Sequence, residues 1–132
     1  MNFLVRKWRN RYLIFEIHSP KPIELSKLQL LRHIFDATLK LYGEVGAASI
    51  HINLIDYDDR LMRGIIRCNH RAVVKLRAAL AIISEINSIP VLVHVVKVTG
   101  TLRKAREILN SLPRGLDVGD EEAVPCLTSG GE

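Results

Sequence analysis

A chain of 132 residues with 48% hydrophobic residues is long enough for one globular domain with its own core, and no apolar run reaches the length of a membrane span. From Asp117 onward there are five of the 14 acids and none of the 19 Lys and Arg residues, so residues 1–116 hold nineteen cations against nine anions, a net charge of +10. A body this basic favours a polyanionic partner, with nucleic acid as the first candidate. We expect a cytoplasmic protein with no secretory signal, no membrane association and no disulfide between Cys68 and Cys126.

The densest run of cations lies near the N-terminus and includes one indole ring. Cations neutralise phosphates and aromatic rings stack on bases, so this combination is typical of proteins that bind single-stranded nucleic acid. The alternative is a solvated arm whose tryptophan packs against the core. The residues of this arm that we predict to bind RNA are Arg6, Lys7, Trp8, Arg9 and Arg11.

A strand and a helix follow the arm. Residues 12–18 predict a strand, which ends where Pro20 and Pro22 impose an extended connection. Apolar residues at spacings of three and four predict a helix over residues 25–42, which Gly43 ends. The apolar stripe of this helix is expected to consist of Leu28, Leu31, Phe35, Leu39 and Tyr42.

A hairpin and a second helix come next. Alternating residues predict a strand over 49–55 and a partner strand over 61–69, joined by an acidic turn over 56–60. Three carboxylates in that turn suggest a divalent metal, but their spacing matches no calcium loop, and a solvated turn is favoured. A helix rich in alanine and leucine is expected from His70 to about Ile86. In the partner strand one face carries Arg63, Ile65 and Arg67.

The last two elements form a corner between a strand and a helix. Residues 91–98 are β-branched at most positions and predict a strand with two apolar faces. Gly100 loosens the corner, and a threonine can cap the helix over 102–109. Cations in a first helical turn oppose the helix dipole unless a phosphate binds there, and the alternative is a capped helix with solvated cations. The candidate phosphate contacts at this corner are Thr101, Arg103, Lys104 and Arg106.

This order of elements predicts an α+β fold of the split βαβ type, which is also called ferredoxin-like or RRM-like. It comprises βαββαβ and a C-terminal helix, with two helices on one face of a four-stranded antiparallel sheet. Residues 1–112 form the single globular domain with its basic N-terminal arm. Residues 113–132 are acidic and poor in large apolar groups, so a flexible tail is expected.

No pattern in the sequence indicates catalysis by the polypeptide. It contains no nucleophile elbow, HExxH, P-loop or GxGxxG motif. Cys68 and His70 with His94 or His51 are a weak zinc set, and a buried strand cysteine is favoured. We therefore expect no catalytic residue, no metal and no cofactor held by the protein itself.

Four segments taken in order, residues 9–17, 46–48, 64–68 and 97–104, form a recognisable set. Together they resemble the archaeal ribonuclease P protein component 2 family, whose eukaryotic counterpart is the small Pop-type subunit of ribonuclease P and RNase MRP. The resemblance covers roughly residues 5–112, and the acidic tail lies outside it.

The resemblance implies a subunit of a ribonucleoprotein endonuclease that removes the 5′ leader of precursor tRNA. In such enzymes the RNA subunit, with bound Mg²⁺, performs the hydrolysis. The implied partners are the ribonuclease P RNA, precursor tRNA through the complex, and a TIM-barrel-like protein subunit. Two copies of that protein pair are expected to meet through this type of subunit and form a heterotetramer.

The residues themselves place RNA contact away from the sheet face. An RNA-recognition motif stacks bases on aromatics of its central strands, but here only Tyr12 or Phe15 is available, and the apolar face suits another protein or a covering helix. Phosphate contacts at the arm and the corner are expected instead. The alternatives are a free-standing RNA-binding module, a ferredoxin-like domain that binds a small molecule, and a metal-dependent nuclease using Asp56, Asp58 and Asp59.

Overall fold

The computed structural model describes residues 9–113. Its elements in chain order are β1 (Asn10–His18), α1 (Lys27–Ala48), β2 (Asn53–Asp58), β3 (Arg63–Asn69), a 3₁₀ helix (His70–Ala72), α2 (Val73–Ala81), β4 (Glu85–Ile86), β5 (Ile89–Pro90), β6 (Leu92–Thr99) and α3 (Leu102–Ser111). The four long strands form one antiparallel sheet in the order β2-β3-β1-β6, and β4 pairs with β5. The predicted split βαβ fold with a C-terminal helix is confirmed.

Strand β1 lies inside the sheet and is buried on both faces. Leu13, Phe15 and Ile17 belong to the core under α1 and α2, whereas Ile14 belongs to a second core under α3. A strand covered on both faces is apolar at successive positions, which explains the apolar run at residues 13–15. Pairing with β3 extends the strand back to Asn10, earlier than the expected residue 12.

Helix α1 packs on the sheet through a different face from the predicted one. Its buried residues include Leu30 and Ile34, while Leu28, Phe35 and Leu39 are 66%, 39% and 44% exposed. Apolar residues occupy much of the circumference of this helix, so two stripes with helical spacing exist and only one can face the sheet. The predicted stripe is therefore wrong at these three positions.

The ends of α1 have identifiable causes. Ser26 and Gln29 form a capping box, in which Ser26 Oγ accepts the Gln29 N–H at 3.2 Å and Gln29 Oε1 accepts the Ser26 N–H at 3.0 Å. The helix consequently starts at Lys27 rather than at residue 25. At Gly43 the backbone leaves the helical region, with φ 73° and ψ −178°, and one further turn then continues to Ala48.

Helix α2 is shorter than predicted. A 3₁₀ turn capped by the Asn69 side chain precedes it, and the helix ends at Ala81 instead of near residue 86. Asn87 and Ser88 have φ values of 53° and 66° and connect β4 to β5. Two left-handed residues in succession suit a tight hairpin turn, so tertiary structure replaces the end of the expected helix.

The β2–β3 hairpin is displaced along the sequence relative to the prediction. His51 has a φ of 57°, a backbone conformation that a strand does not contain, and β2 starts only at Asn53. Asp56 and Asp58 therefore belong to the strand rather than to the turn. β3 likewise starts at Arg63 instead of residue 61.

Helix α3 covers the second face of the sheet. Ala105 has no exposed surface and packs with Ile14 and Ile65, which are also fully buried, so the covering helix comes from the chain itself. Strand β6 pairs with β1 at the edge of the sheet, and Leu92 there is 60% exposed. The prediction of two apolar faces for this strand holds in part: Val93 packs in the core under α1 and α2 and Val96 in the core under α3, whereas Leu92 lies beyond the cover of α3. No helix within residues 9–113 is long and apolar enough to cross a bilayer.

Candidate nucleic-acid interface

The start of β1 and the end of β3 lie side by side at one end of the sheet. Asn10 lies opposite Asn69 in the pairing of these strands. The backbone N–H of His70 donates to the carbonyl of Arg9 at 2.8 Å, which holds Arg9 close to the residue after His70, Arg71. Both arginines are exposed. The sheet hydrogen bonds therefore bring together two cations from distant parts of the sequence.

The corner between β6 and α3 lies at the same end of the sheet. Tyr12 of β1 lies opposite Thr99 of β6. The guanidinium of Arg11 lies against Gly100, with its Nη1 3.6 Å from the position that a Cβ atom on Gly100 would occupy. The described part of the predicted arm and the predicted corner consequently form one continuous surface.

Thr101 caps α3, as the sequence predicts. Its Oγ1 accepts the backbone N–H of Lys104 at 3.2 Å, and its carbonyl accepts the hydroxyl of Thr99 at 3.0 Å. The first turn contains no acid, and its Arg103 and Lys104 are exposed. Arg103 approaches Glu107 at 3.9 Å, but with 92% and 61% side-chain exposure this ion pair contributes little. Exposed cations beside the positive end of a helix dipole suit an anion.

Arg106 is directed away from this turn. Its Nε donates to Oδ2 of Asp56 at 3.0 Å, and the two side chains are 53% and 36% exposed. The ion pair joins α3 to β2. Because a carboxylate already engages its guanidinium, Arg106 is less available to a phosphate than Arg103 and Lys104 of the first turn.

Three predicted contacts, Arg6, Lys7 and Trp8, lie outside the described residues. Two cations that the sequence did not assign to RNA binding, Arg67 and Arg71, lie where β3 ends. Only the pairing of β1 with β3 reveals them, since in sequence they are remote from the arm. The surface formed by these groups is called the basic end of the sheet, and its members are Arg9, Arg11, Arg67, Arg71, Arg103 and Lys104.

The aromatic side chains of β1 are used in packing. Phe15 is buried and stacks on Tyr57, with ring centroids 6.3 Å apart and an interplanar angle of 6°. Tyr12 is half-buried against the core under α3. Because α3 covers this face, the geometry favours phosphate contacts at the basic end over base stacking on the sheet.

Two of the groups considered for metal binding or catalysis, Cys68 and Asp58, have structural roles. Cys68 is fully buried in the main core, and burial raises the pKa of its thiol to about 11, so it stays protonated and is a poor metal ligand. The interpretation as a buried strand cysteine is confirmed. Oδ1 of Asp58 accepts the N–H groups of Arg60 and Leu61 at 2.9 and 3.2 Å, which shapes the hairpin turn.

Comparisons with known protein sequences indicate one family. The model of the Rpp14/Pop5 family matches residues 11–110. The chain is similar to ribonuclease P protein component 2 of Methanosarcina mazei, with 31% identity over 75% of this chain and 82% of the relative. The same-named proteins of Pyrococcus abyssi and Pyrococcus horikoshii are 32% identical over 75% of this chain and 82% of the relative, and 33% over 74% and 80%.

A solved structure shares the fold. A chain in the cryo-EM structure of yeast ribonuclease MRP superposes with a TM-score of 0.63 over 80% of this chain and 89% of that chain. The two sequences are 15% identical, so this likeness concerns the fold alone.

Proposed function

The chain belongs to the Rpp14/Pop5 family of ribonuclease P and MRP protein subunits, and from this premise we propose that it binds and stabilises the catalytic RNA of ribonuclease P without breaking bonds itself. The reaction of the assembled enzyme is removal of the 5′ leader of precursor tRNA, in an archaeal cytoplasm. The observation that supports this role best is the basic end of the sheet, where cations from β1, β3 and α3 lie on one surface.

The proposed mechanism is electrostatic. A catalytic RNA must bring phosphate backbones close together, and their repulsion opposes the active fold. Cations held by a rigid sheet neutralise part of that charge, so the active fold forms at a lower Mg²⁺ concentration. Mg²⁺ on the RNA supplies the chemistry of hydrolysis. The contacts from the protein go to phosphates, which position the RNA without reading its sequence.

Protein partners have a separate surface available. Leu28, Phe35 and Leu39 lie exposed on α1, on the side of the sheet opposite α3. Exposed apolar groups on one element are typical of a protein interface. We assign this surface to protein contacts, with the TIM-barrel-like subunit as the proposed partner and a heterotetramer as the assembly.

Reconstituted enzyme tests the proposal. The variant Arg9→Gln/Arg103→Gln/Lys104→Gln should need a higher Mg²⁺ concentration for half-maximal cleavage of precursor tRNA. A control that removes the same charge away from both the basic end and the exposed apolar surface of α1, Lys21→Gln/Arg60→Gln/Arg77→Gln, should keep the original requirement. All six substituted positions are exposed, so neither variant should unfold.

Salt dependence of RNA binding provides a second measurement. For every cation–phosphate pair that the substitutions remove, the slope of log K against log salt should decrease by about 0.7–0.9. Equal Mg²⁺ requirements for the two triple variants would contradict the assignment of RNA binding to the basic end. Tight, specific binding of the RNA by this chain alone would instead favour a free-standing RNA-binding module.

A further inference from the structure

Three potential metal ligands converge on one side of the sheet, away from the basic end. Glu16 and His18 lie two residues apart in β1 and share the face that α3 partly covers. His94 of β6 lies directly opposite Glu16. One ligand atom from each of the three side chains lies within 4.8 Å of those of the other two. Strand pairing thus gathers a carboxylate and two imidazoles whose backbone positions are fixed.

The separations are close to those of a metal centre. Nε2 of His18 lies 3.7 Å from Oε1 of Glu16, and the two imidazole ring centroids are 5.9 Å apart. Ligand atoms in a tetrahedral zinc site are about 3.3 Å from one another, given metal–ligand distances near 2.0–2.2 Å. Glu16 and His18 already approach that value. His94 is exposed, so its side chain is free of the packing that would hold it away from the other two ligands.

A neighbouring arginine orients the carboxylate. Arg63 is 6% exposed, and its Nη1 lies 3.7 Å from Oε2 of Glu16, the oxygen that is not near His18. Arg63 is itself held by the carbonyls of Leu112 and Pro113. One carboxylate oxygen is therefore directed at the guanidinium and the other at the imidazole. Groups that contact a metal ligand in this way commonly fix its orientation.

We propose that Glu16, His18 and His94 form a binding site for a late first-row divalent cation, with Zn²⁺ as its representative. Imidazole ligands select such ions, whereas Mg²⁺ prefers oxygen alone. Three protein ligands leave one coordination position for water or an external donor. Glu16 and His18 also line a surface hollow of about 400 Å³, through which an ion can enter. The proposal departs from the expectation that the protein holds no metal. The sequence contains no motif for this site, because β1 and β6 are neighbours in the sheet but lie far apart in the sequence.

Calorimetry on the full chain tests the site. Protein freed of metal with EDTA and carrying Cys126→Ser, which removes the thiol outside the described residues, is titrated with ZnCl₂ and separately with MgCl₂. We expect one equivalent of Zn²⁺ to bind and no binding of Mg²⁺. His18→Ala and His94→Ala should each weaken Zn²⁺ binding at least tenfold. His33→Ala on α1 is the matched control and should bind Zn²⁺ normally.

NMR of the imidazole nitrogens makes the test independent of the variants. In the wild-type chain, one equivalent of Zn²⁺ should shift the signals of His18 and His94 and leave those of His33 in place. Glu16→Gln should reduce affinity while the thermal unfolding midpoint stays close to that of the wild type. Failure of the wild-type chain to bind Zn²⁺ overturns the proposal. So does unchanged binding by the His18 and His94 variants, or a Zn²⁺-induced shift confined to other histidines.

Discussion

Arg63 should contribute more to the stability of this domain than its position on a strand suggests. The side chain is nearly buried, and its guanidinium reaches the C-terminal end of α3. Nη1 donates to the carbonyl of Pro113 at 2.7 Å and Nη2 to that of Leu112 at 3.3 Å. A cation at this end also interacts favourably with the helix dipole. Arg63 therefore anchors the helix that seals the second core.

The expected cost of removing this anchor follows from those hydrogen bonds. Arg63→Met keeps the aliphatic stem in place and removes both of them. A hydrogen bond to a charged group contributes about 1.5–3 kcal/mol, and the longer of the two lies at or below the low end of that range. The ion pair with Glu16 is longer than a hydrogen bond, at 3.7 Å, so the two carbonyl hydrogen bonds dominate the expected loss. We expect the free energy of unfolding to fall by roughly 3 kcal/mol.

Urea unfolding followed by far-UV circular dichroism measures the destabilisation. Amide hydrogen exchange should locate it, with faster exchange in α3 than in α1. Arg67→Met is the matched control, because Arg67 lies two residues before the end of β3 on the same face as Arg63 and is half-buried. It should cost less than about 1 kcal/mol. If the two variants are equally destabilised, or if α3 keeps its protection in Arg63→Met, the anchoring role is refuted.

Three further predictions concern stability. Gly64→Ala should cost about 2–4 kcal/mol in urea unfolding, because its Cβ would collide with the carbonyl oxygen of Asp56 on the paired strand. Ser26→Ala removes the capping box of α1 and should cost about 1 kcal/mol, measured in the same way. Burial raises the pKa of Cys68 to about 11 and contributes most to raising that of Tyr57 to about 12. The unfolded chain releases these protons at lower pH, so the free energy of unfolding should fall between about pH 9 and pH 12, less steeply in Tyr57→Phe.

The order of elements was predictable because local signals agree with the fold. The proline pair after β1, the glycine at position 43 and the capping threonine at position 101 each mark a boundary that the structure retains or nearly retains. The apolar run in β1 required cover on both sides, which the structure supplies through α1, α2 and α3. The basic N-terminal arm and the basic corner before α3 could also be found from the sequence, because a local cluster of Lys and Arg residues is apparent without the tertiary structure.

What the sequence could not reveal depends on pairing and on competing patterns. α1 carries two apolar stripes with the same spacing, and only packing decides that Ile34 is buried while Phe35 is not. The hairpin turn at Asn87 and Ser88 replaces the end of the helix that was expected to continue to about Ile86. Arg67 joins the candidate RNA surface only through the register of β3 with β1. Each case requires a partner that is distant in the chain.

Helix α3 connects the stability of the domain to its proposed RNA contact. By covering Ile14 and Ile65 it occupies the surface on which an RNA-recognition motif stacks bases. Its N-terminal turn presents Arg103 and Lys104 at the basic end of the sheet, where the guanidinium of Arg11 lies against Gly100. RNA contact should therefore depend on charge and shape more than on base identity. Because the same helix is fixed at its far end through Arg63, loosening that end should also weaken RNA binding, although every cation of the basic end is still present.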